Sequence, residues 1–247
     1  MQGWSAGHLI ARRDWAPGLA TLAIAAEIEP FEPGQFVNLG LEVSGAIERR
    51  SYSIASAPGG PLGFLVTEVQ EGRLTPHLMR LAPGDPVFVE PKPQGYFTLK
   101  WVPNARELWL VATGTGLGPF LSILASEEPW RRFERIVLVH GVREKSQLAH
   151  RDELTQLAAA RGGRLAVVAA LSREAASEGL LHGRITSLLA AGELERAAAT
   201  PLDAARSHVM LCGNPAMIEE MTKLLGERGL RKHRVRTPGH ITIEKYW

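Results

Sequence analysis

The chain has 247 residues, 45% of them hydrophobic and 22% charged, with a formal net charge of +2 at pH 7. That length leaves room for two domains of ordinary size, and the composition excludes a disordered or fibrous chain and gives no overall field that demands nucleic acid. Cys212 is the only cysteine, which excludes an intrachain disulfide and any zinc or iron–sulfur site ligated by cysteines of this chain alone.

The opening residues, MQGWSAGHLIARRDW, lack the basic-then-apolar pattern of a signal peptide, and no apolar run approaches the ~20 residues of a membrane helix. The expectation is a soluble, cytoplasmic protein with no membrane partner. Residues 1–100 read as β-rich. Segments at His8–Ala11, Thr21–Ala26, Gln35–Leu41, Arg49–Ser56, Gly63–Val69, Pro86–Glu90 and Tyr96–Leu99 are separated by Pro/Gly turns such as Glu32-Pro33-Gly34 and Ala82-Pro83-Gly84-Asp85. Evenly spaced strands with such turns suggest an antiparallel barrel or a sandwich. One short helix interrupts them, with Thr75 as N-cap, Pro76 as the first helical residue and Leu78 and Leu81 on one face.

The break falls near Lys100–Arg106, and from Leu108 the rhythm is strand then helix. Strands are expected at Leu108–Ala112, Ile136–His140, Leu165–Leu171, Ser207–Leu211 and Ile241–Ile243. Helices are expected after Pro119, near Asp152–Arg161, around Ile185–Ala191 and at Ala216–Gly226. Apolar strands alternating with helices mean a doubly wound parallel sheet, here of five strands.

Three stretches could carry chemistry. Glycines at 114, 116 and 118 between a buried strand and Pro119 form a turn that feeds a helix N-terminus, where backbone N–H groups and the helix dipole favour an anion. The turn has neither the lysine of a Walker A loop nor a clean G-x-G-x-x-G, and a ligand-free strand-to-helix turn explains it about as well. Arg50-Ser51-Tyr52-Ser53 places Arg50 and Tyr52 on one strand face and Ser53 on the other, offering a phosphate partner, a flat ring and a hydroxyl. Gly72-Arg73-Leu74-Thr75-Pro76 gives a second helix N-terminus. Cys212-Gly213-Asn214-Pro215 ends a strand, turns sharply and starts a helix, which puts Cys212 at the strand edge where open α/β sheets bind ligands.

In order and spacing these motifs resemble the bacterial ferredoxin/flavodoxin–NADP reductases, across essentially the whole chain and with the H-I-T-I-E-K-Y-W ending of the enterobacterial-type subgroup. The resemblance implies an N-terminal six-stranded antiparallel Greek-key barrel that binds FAD (residues 1–100) and a C-terminal α/β domain that binds NADP (residues 101–247). It implies FAD contacts from Arg50, Ser51, Tyr52 and Ser53, from Leu65, Val66 and Thr67 on the next strand, from Arg73, Leu74 and Thr75, from Thr115, and from the terminal aromatics Tyr246 and Trp247. The nicotinamide nucleotide would take Gly114, Gly116, Pro119, Cys212, Gly213, Asn214 and Met217. Arg143, Ser172, Arg173 and Arg184 match the family's pocket for the adenosine 2′-phosphate, which favours NADP over NAD.

The activity so implied is hydride transfer between NADP(H) and FAD, and single-electron transfer between FAD and ferredoxin or flavodoxin. Ser53 would hydrogen-bond flavin N5, Cys212 would orient the nicotinamide, and Glu244 would exchange protons with solvent. Tyr246 or Trp247 would cover a flavin face. Monomer is the default state. Between Lys223 and Arg236 six basic residues stand against Glu227 alone, so Arg228–Arg236 could steer an acidic acceptor or be an ordinary solvated face. An NAD(P)H:flavin reductase or an oxygenase-reductase-like flavoprotein on the same plan is the alternative.

Overall fold

A computed structural model describes residues 3–175, 177 and 179–245. The expectations for Tyr246 and Trp247 lie outside the described residues. By packing, the chain divides into two compact units, one of Met1–Leu99 with Gly118–Ser126 and the other of Lys100–Leu117 with Glu127–Trp247.

The first unit is built on strands β1 (Ser5–Ala16), β2 (Leu19–Ala25), β3 (Phe36–Val43), β4 (Ala46–Ser53), β5 (Leu62–Thr67) and β6 (Pro86–Val89). They form one antiparallel sheet in the order β4-β3-β6-β1-β2-β5. β1 spans 12 residues, with register shifts at Leu9/Ala11 and Asp14/Ala16, and such bulges bend a strand so that it can serve two partners. The edge strands β4 and β5 are consecutive in the chain and meet where Ala55 N–H donates to Gly63 O at 2.7 Å. Inside, Leu9, Leu22, Ile24, Val37, Leu39, Phe64, Val66, Val87 and Val89 make a continuous apolar core, capped by Leu74 and Leu78. These side chains alternate along their strands with more exposed ones, as a sheet with one buried face requires.

The turn α1 (Thr75–Leu78) corrects one expectation. Its N-cap position is Leu74, with no side-chain cap. The Thr75 hydroxyl instead accepts Val69 N–H at 2.9 Å and lies 3.2 Å from Val69 O. The segment Tyr96–Leu99 is not a strand. The chain there passes into a 3₁₀ turn at Leu99–Trp101, and Phe97 is buried with its ring 5.7 Å from that of Phe120. Its apolar residues serve packing rather than a ladder. Helix α2 (Gly118–Ala125) clusters with this first unit, and its Ser122 hydroxyl donates to Ser56 O at 2.7 Å.

The second unit holds β7 (Glu107–Thr113), β8 (Arg135–Val142), β9 (Leu165–Leu171), β10 (Leu180–His182), β11 (Ser207–Gly213) and β12 (Ile241–Lys245). All are parallel, in the order β10-β9-β8-β7-β11-β12. The sheet therefore has six strands, not five. β10 is three residues long at an edge, too short to leave an apolar run in the sequence. Helices α3 (Glu128–Arg132) and α6 (Glu193–Ala198) join the expected α4 (Arg151–Ala160), α5 (Ile185–Ala190) and α7 (Pro215–Glu227). One face of the sheet packs Trp109, Val111, Val137, Val139, Val209 and Leu211 against Leu188, Leu189, Ile218, Met221 and Leu225. The chain runs outward from β7 through β8, β9 and β10, then returns to place β11 and β12 on the other side. The order thus reverses between β7 and β11, and open α/β sheets bind ligands outside the carboxyl ends of strands at such a reversal.

Candidate functional site

At the reversal, two loops are fitted together within the second unit. After β7 the glycine stretch forms a 3₁₀ turn, Gly114–Leu117, before α2 begins at Gly118. Pro119 is thus the second residue of the helix, not its first, and is buried. Gly116 has no room for a side chain, since a Cβ there would lie 2.5 Å from Cys212 O. Gly213, with φ +132°, likewise presses on Thr113, whose hydroxyl accepts Asn214 N–H at 2.9 Å. Gly114 faces open space, with nothing within 4 Å of where a Cβ would stand. The turn is also held from the other side. His140, on β8, is 3% exposed and its Nε2 lies 3.0 Å from Gly114 O. Burial pushes its pKa down to about 4, the Gly114 carbonyl acting against that and His150 adding to it. Neither His140 nor Thr113 was among the sequence candidates. The only trace of His140 is a titratable residue closing the apolar run IVLVH.

Cys212 is fully buried and stands beside Glu244 in the β11–β12 register. Its Sγ lies 3.9 Å from Glu244 Oε2, with the thiol donating. The residue expected to orient the nicotinamide and the one expected to exchange protons with solvent therefore share one sheet face at the carboxyl edge. Asn214 caps α7, its Oδ1 accepting from Ala216 N–H at 2.9 Å and Met217 N–H at 3.3 Å. Met217 itself is buried in the core under α7, so its side chain is committed to packing.

At the same edge, the loops after β8 and β9 are joined by Arg173 N–H donating to Arg143 O at 2.9 Å and Ser172 N–H to Val142 O at 3.0 Å. Arg184 opens α5 directly after β10. Arg143, Ser172, Arg173 and Arg184 are all exposed. Among the described residues, none of the three guanidinium groups has a hydrogen-bond or ion-pair partner. The Ser172 hydroxyl points back to Val142 O at 3.3 Å. Glu174 ties this edge together, its carboxylate accepting Lys145 N–H at 2.7 Å and its carbonyl facing His182 Nδ1 at 2.5 Å.

In the first unit, β4 carries Glu48, Arg50 and Tyr52 on one face, and Arg73 Nη1 reaches that face at 3.6 Å from Glu48 Oε1. The structure thus brings Arg73 to the Glu48 end of the strand face that also carries Arg50 and Tyr52. Burial pushes the Tyr52 phenol up to about 12, with Arg50 pulling the other way, so the ring stays protonated and neutral at ordinary pH. Ser51 and Ser53 take the opposite face, where the Ser51 hydroxyl donates to Asn38 Oδ1 at 2.7 Å and Ser53 is 6% exposed. On β5, Val66 is spent in the barrel core, Leu65 is buried on the other face, and the Thr67 hydroxyl lies 3.3 Å from Gly18 O. β5 pairs with β2 alone among the described strands, so Leu65, Val66 and Thr67 offer a ligand their backbone edge more than their side chains. Thr115 is half-buried in the glycine turn.

The basic segment divides. Arg228 is tied to Glu195 at 2.8 Å and donates to Leu189 O at 2.7 Å, which removes it from any docking role. Arg231, Lys232, Arg234 and Arg236 are exposed. They precede β12, at the end of the strand away from Glu244.

The residues present fit the two groups that the resemblance implies. The half-buried neutral phenol of Tyr52 and the guanidinium of Arg50 share one β4 face, which Arg73 reaches at Glu48. Guanidiniums without a partner among the described residues stand at the carboxyl edge of a parallel sheet, next to a glycine turn whose Gly114 faces open space.

Comparison with known proteins agrees. The family profile "Oxidoreductase NAD-binding domain" matches residues 110–223. The flavodoxin/ferredoxin–NADP reductases of Shigella flexneri and of Escherichia coli are each 41% identical over 249 residues, covering 100% of both chains. The structure of a ferredoxin NADP+ reductase from Neisseria gonorrhoeae, solved with bound FAD and NADP, superposes with a TM-score of 0.94 at 29% identity over 100% of each chain. No helix among the described residues is long and apolar enough to cross a membrane. By its full-length identity and its fold, this chain belongs to the flavodoxin/ferredoxin–NADP reductase family.

Proposed function

We propose that this chain is an FAD-dependent reductase that moves electrons between NADP(H) and ferredoxin or flavodoxin, working as a cytoplasmic monomer. The observation that carries this reading is the Cys212–Glu244 pair at the β7/β11 reversal, set against the glycine turn on one side and α7 on the other. The barrel unit is the FAD-binding domain and the α/β unit the NADP-binding domain. Bound flavin supplies redox chemistry that no side chain here can, taking two electrons from reduced nicotinamide and releasing them singly.

The chain's own residues bind, orient and shield. Arg50 and Arg73 pair with the flavin pyrophosphate, Tyr52 presents its ring for stacking, and the β5 edge at Leu65–Thr67 offers backbone groups. Ser53 supplies a hydroxyl for flavin N5. Arg143, Arg173 and Arg184, with Ser172, recognise the 2′-phosphate of NADP, for which a guanidinium fork is suited. Gly114 and Gly116 let the backbone approach the dinucleotide. Cys212 is small and buried, and it limits where a nicotinamide ring can rest. Glu244, half-buried at the same edge, exchanges protons with solvent. An acidic acceptor is steered by the exposed cations Arg231, Lys232, Arg234 and Arg236, so its kinetics depend on salt.

The test is an absorbance spectrum of the purified protein, taken before and after anaerobic NADPH and again after adding oxidised flavodoxin or ferredoxin. A yellow protein that bleaches and then recovers supports the reading. A preparation that takes up no FAD overturns it.

A further inference from the structure

His140 lies outside every motif above, yet its titratable side chain touches the glycine turn from inside the sheet. It projects from β8 at Cα register with Ala112, the residue before Thr113 and Gly114. Its Nε2 is 3.0 Å from Gly114 O. A carbonyl oxygen only accepts, so the Nε2 nitrogen carries the proton and Nδ1 is bare. The other side of the turn is fixed by contact without a donor, since Gly116 is pressed against Cys212 O. Gly114 itself is exposed, with φ +54° and free space around it. The same carbonyl opens the 3₁₀ turn Gly114–Leu117, so the imidazole ties that turn to β8.

We infer that His140 is a positioning residue for the nucleotide: its Nε2–H pins the Gly114 carbonyl and so aims the following backbone N–H groups at the dinucleotide. A strand residue is better placed for this than a loop residue, because its own rotamer is locked by burial on both sides. The inference rests on the proposed binding of NADP at this turn.

The experiment is calorimetric titration of the FAD-loaded protein with NADP+, on wild type, His140→Leu and His140→Gln. It is paired with a long-range proton–nitrogen NMR spectrum of the wild-type histidines at pH 7. Leucine fills the space without a donor, whereas the glutamine amide nitrogen can stand where Nε2 stood. The expected result is a dissociation constant raised roughly three- to tenfold in the leucine variant and within about twofold of wild type in the glutamine variant. The spectrum should show His140 protonated at Nε2 and bare at Nδ1. Unchanged binding by the leucine variant, equal loss in both variants, or an Nδ1–H tautomer would each overturn the inference. If the leucine variant fails to fold, the glutamine variant and the tautomer still decide. Wild type that does not bind NADP+ at all is a failure of the proposed function instead.

Discussion

Cys212 and Glu244 are 32 positions apart in the chain and neighbours in space, the thiol lying 3.9 Å from the carboxylate across adjacent parallel strands. Their pairing means that each limits the other's freedom. Cys212→Ala should leave FAD retention unchanged while slowing reduction by NADPH about tenfold to a hundredfold, because a small misplacement of reacting groups costs that much. Stopped-flow absorbance under anaerobic conditions checks it, and unaltered reduction would take Cys212 out of the mechanism. Ser53→Ala, measured in the same way, should slow reduction far more than it weakens FAD.

The arginines at the β8 and β9 loops make a separate prediction. Reversing charge with Arg173→Glu should weaken NADPH by about tenfold or more, since a charge-assisted hydrogen bond to phosphate is lost and repulsion is added. NADH lacks that phosphate and should be almost unaffected. Steady-state KM values for both nucleotides test this, and an equal rise for the two would remove Arg173 from the 2′-phosphate pocket.

Two buried histidines set a pH dependence of stability. His140 is pushed down to about 4, chiefly by burial, and His208 to about 3, by burial with His233, His240 and Arg132 adding to it. Both are more easily protonated unfolded than folded, so the unfolded chain binds more protons through this range and stability falls with acid. The loss should begin near pH 6.5, the ordinary histidine value, and for His140 be complete a little below pH 4. Urea midpoints between pH 7 and pH 4.5 measure the slope, and His208→Gln should flatten it. A midpoint that holds constant to pH 4.5 would contradict the burial of these rings.

Trp109 is fully buried on β7, and its indole Nε1 has no hydrogen-bond partner among the described residues. A buried donor left unmade costs about 1–3 kcal/mol. Trp109→Phe removes that donor but also leaves a small cavity. The two effects oppose each other, so the variant should change stability by less than about 1.5 kcal/mol, far less than most replacements of a core aromatic. Thermal unfolding reads the difference.

Much of the site could be read without coordinates because its parts are local. The turns at Gly72–Thr75, Gly114–Pro119 and Cys212–Met217 are short runs in which backbone conformation demands particular residues. Where the reading failed, the cause was a partner or a segment that leaves no pattern along the chain. Thr75 was expected to cap α1, but its hydroxyl bonds to Val69, and Tyr96–Leu99 looked like a strand because Phe97 is apolar for packing against Phe120. The strand β10 was missed because three edge residues carry no period of their own.

By itself the sequence determined the switch from an alternating β pattern to buried strands with helices, the absence of cysteine-based metal chemistry, and the motifs that mark the family. Only the tertiary structure decided that α2 packs with the barrel unit, that Arg73 meets Glu48 on β4, and that His140 grips Gly114. It also removed Arg228 from the basic surface. These are pairings between residues far apart in the chain, and pattern along a strand or helix records which face a residue takes but not which distant group will meet it there.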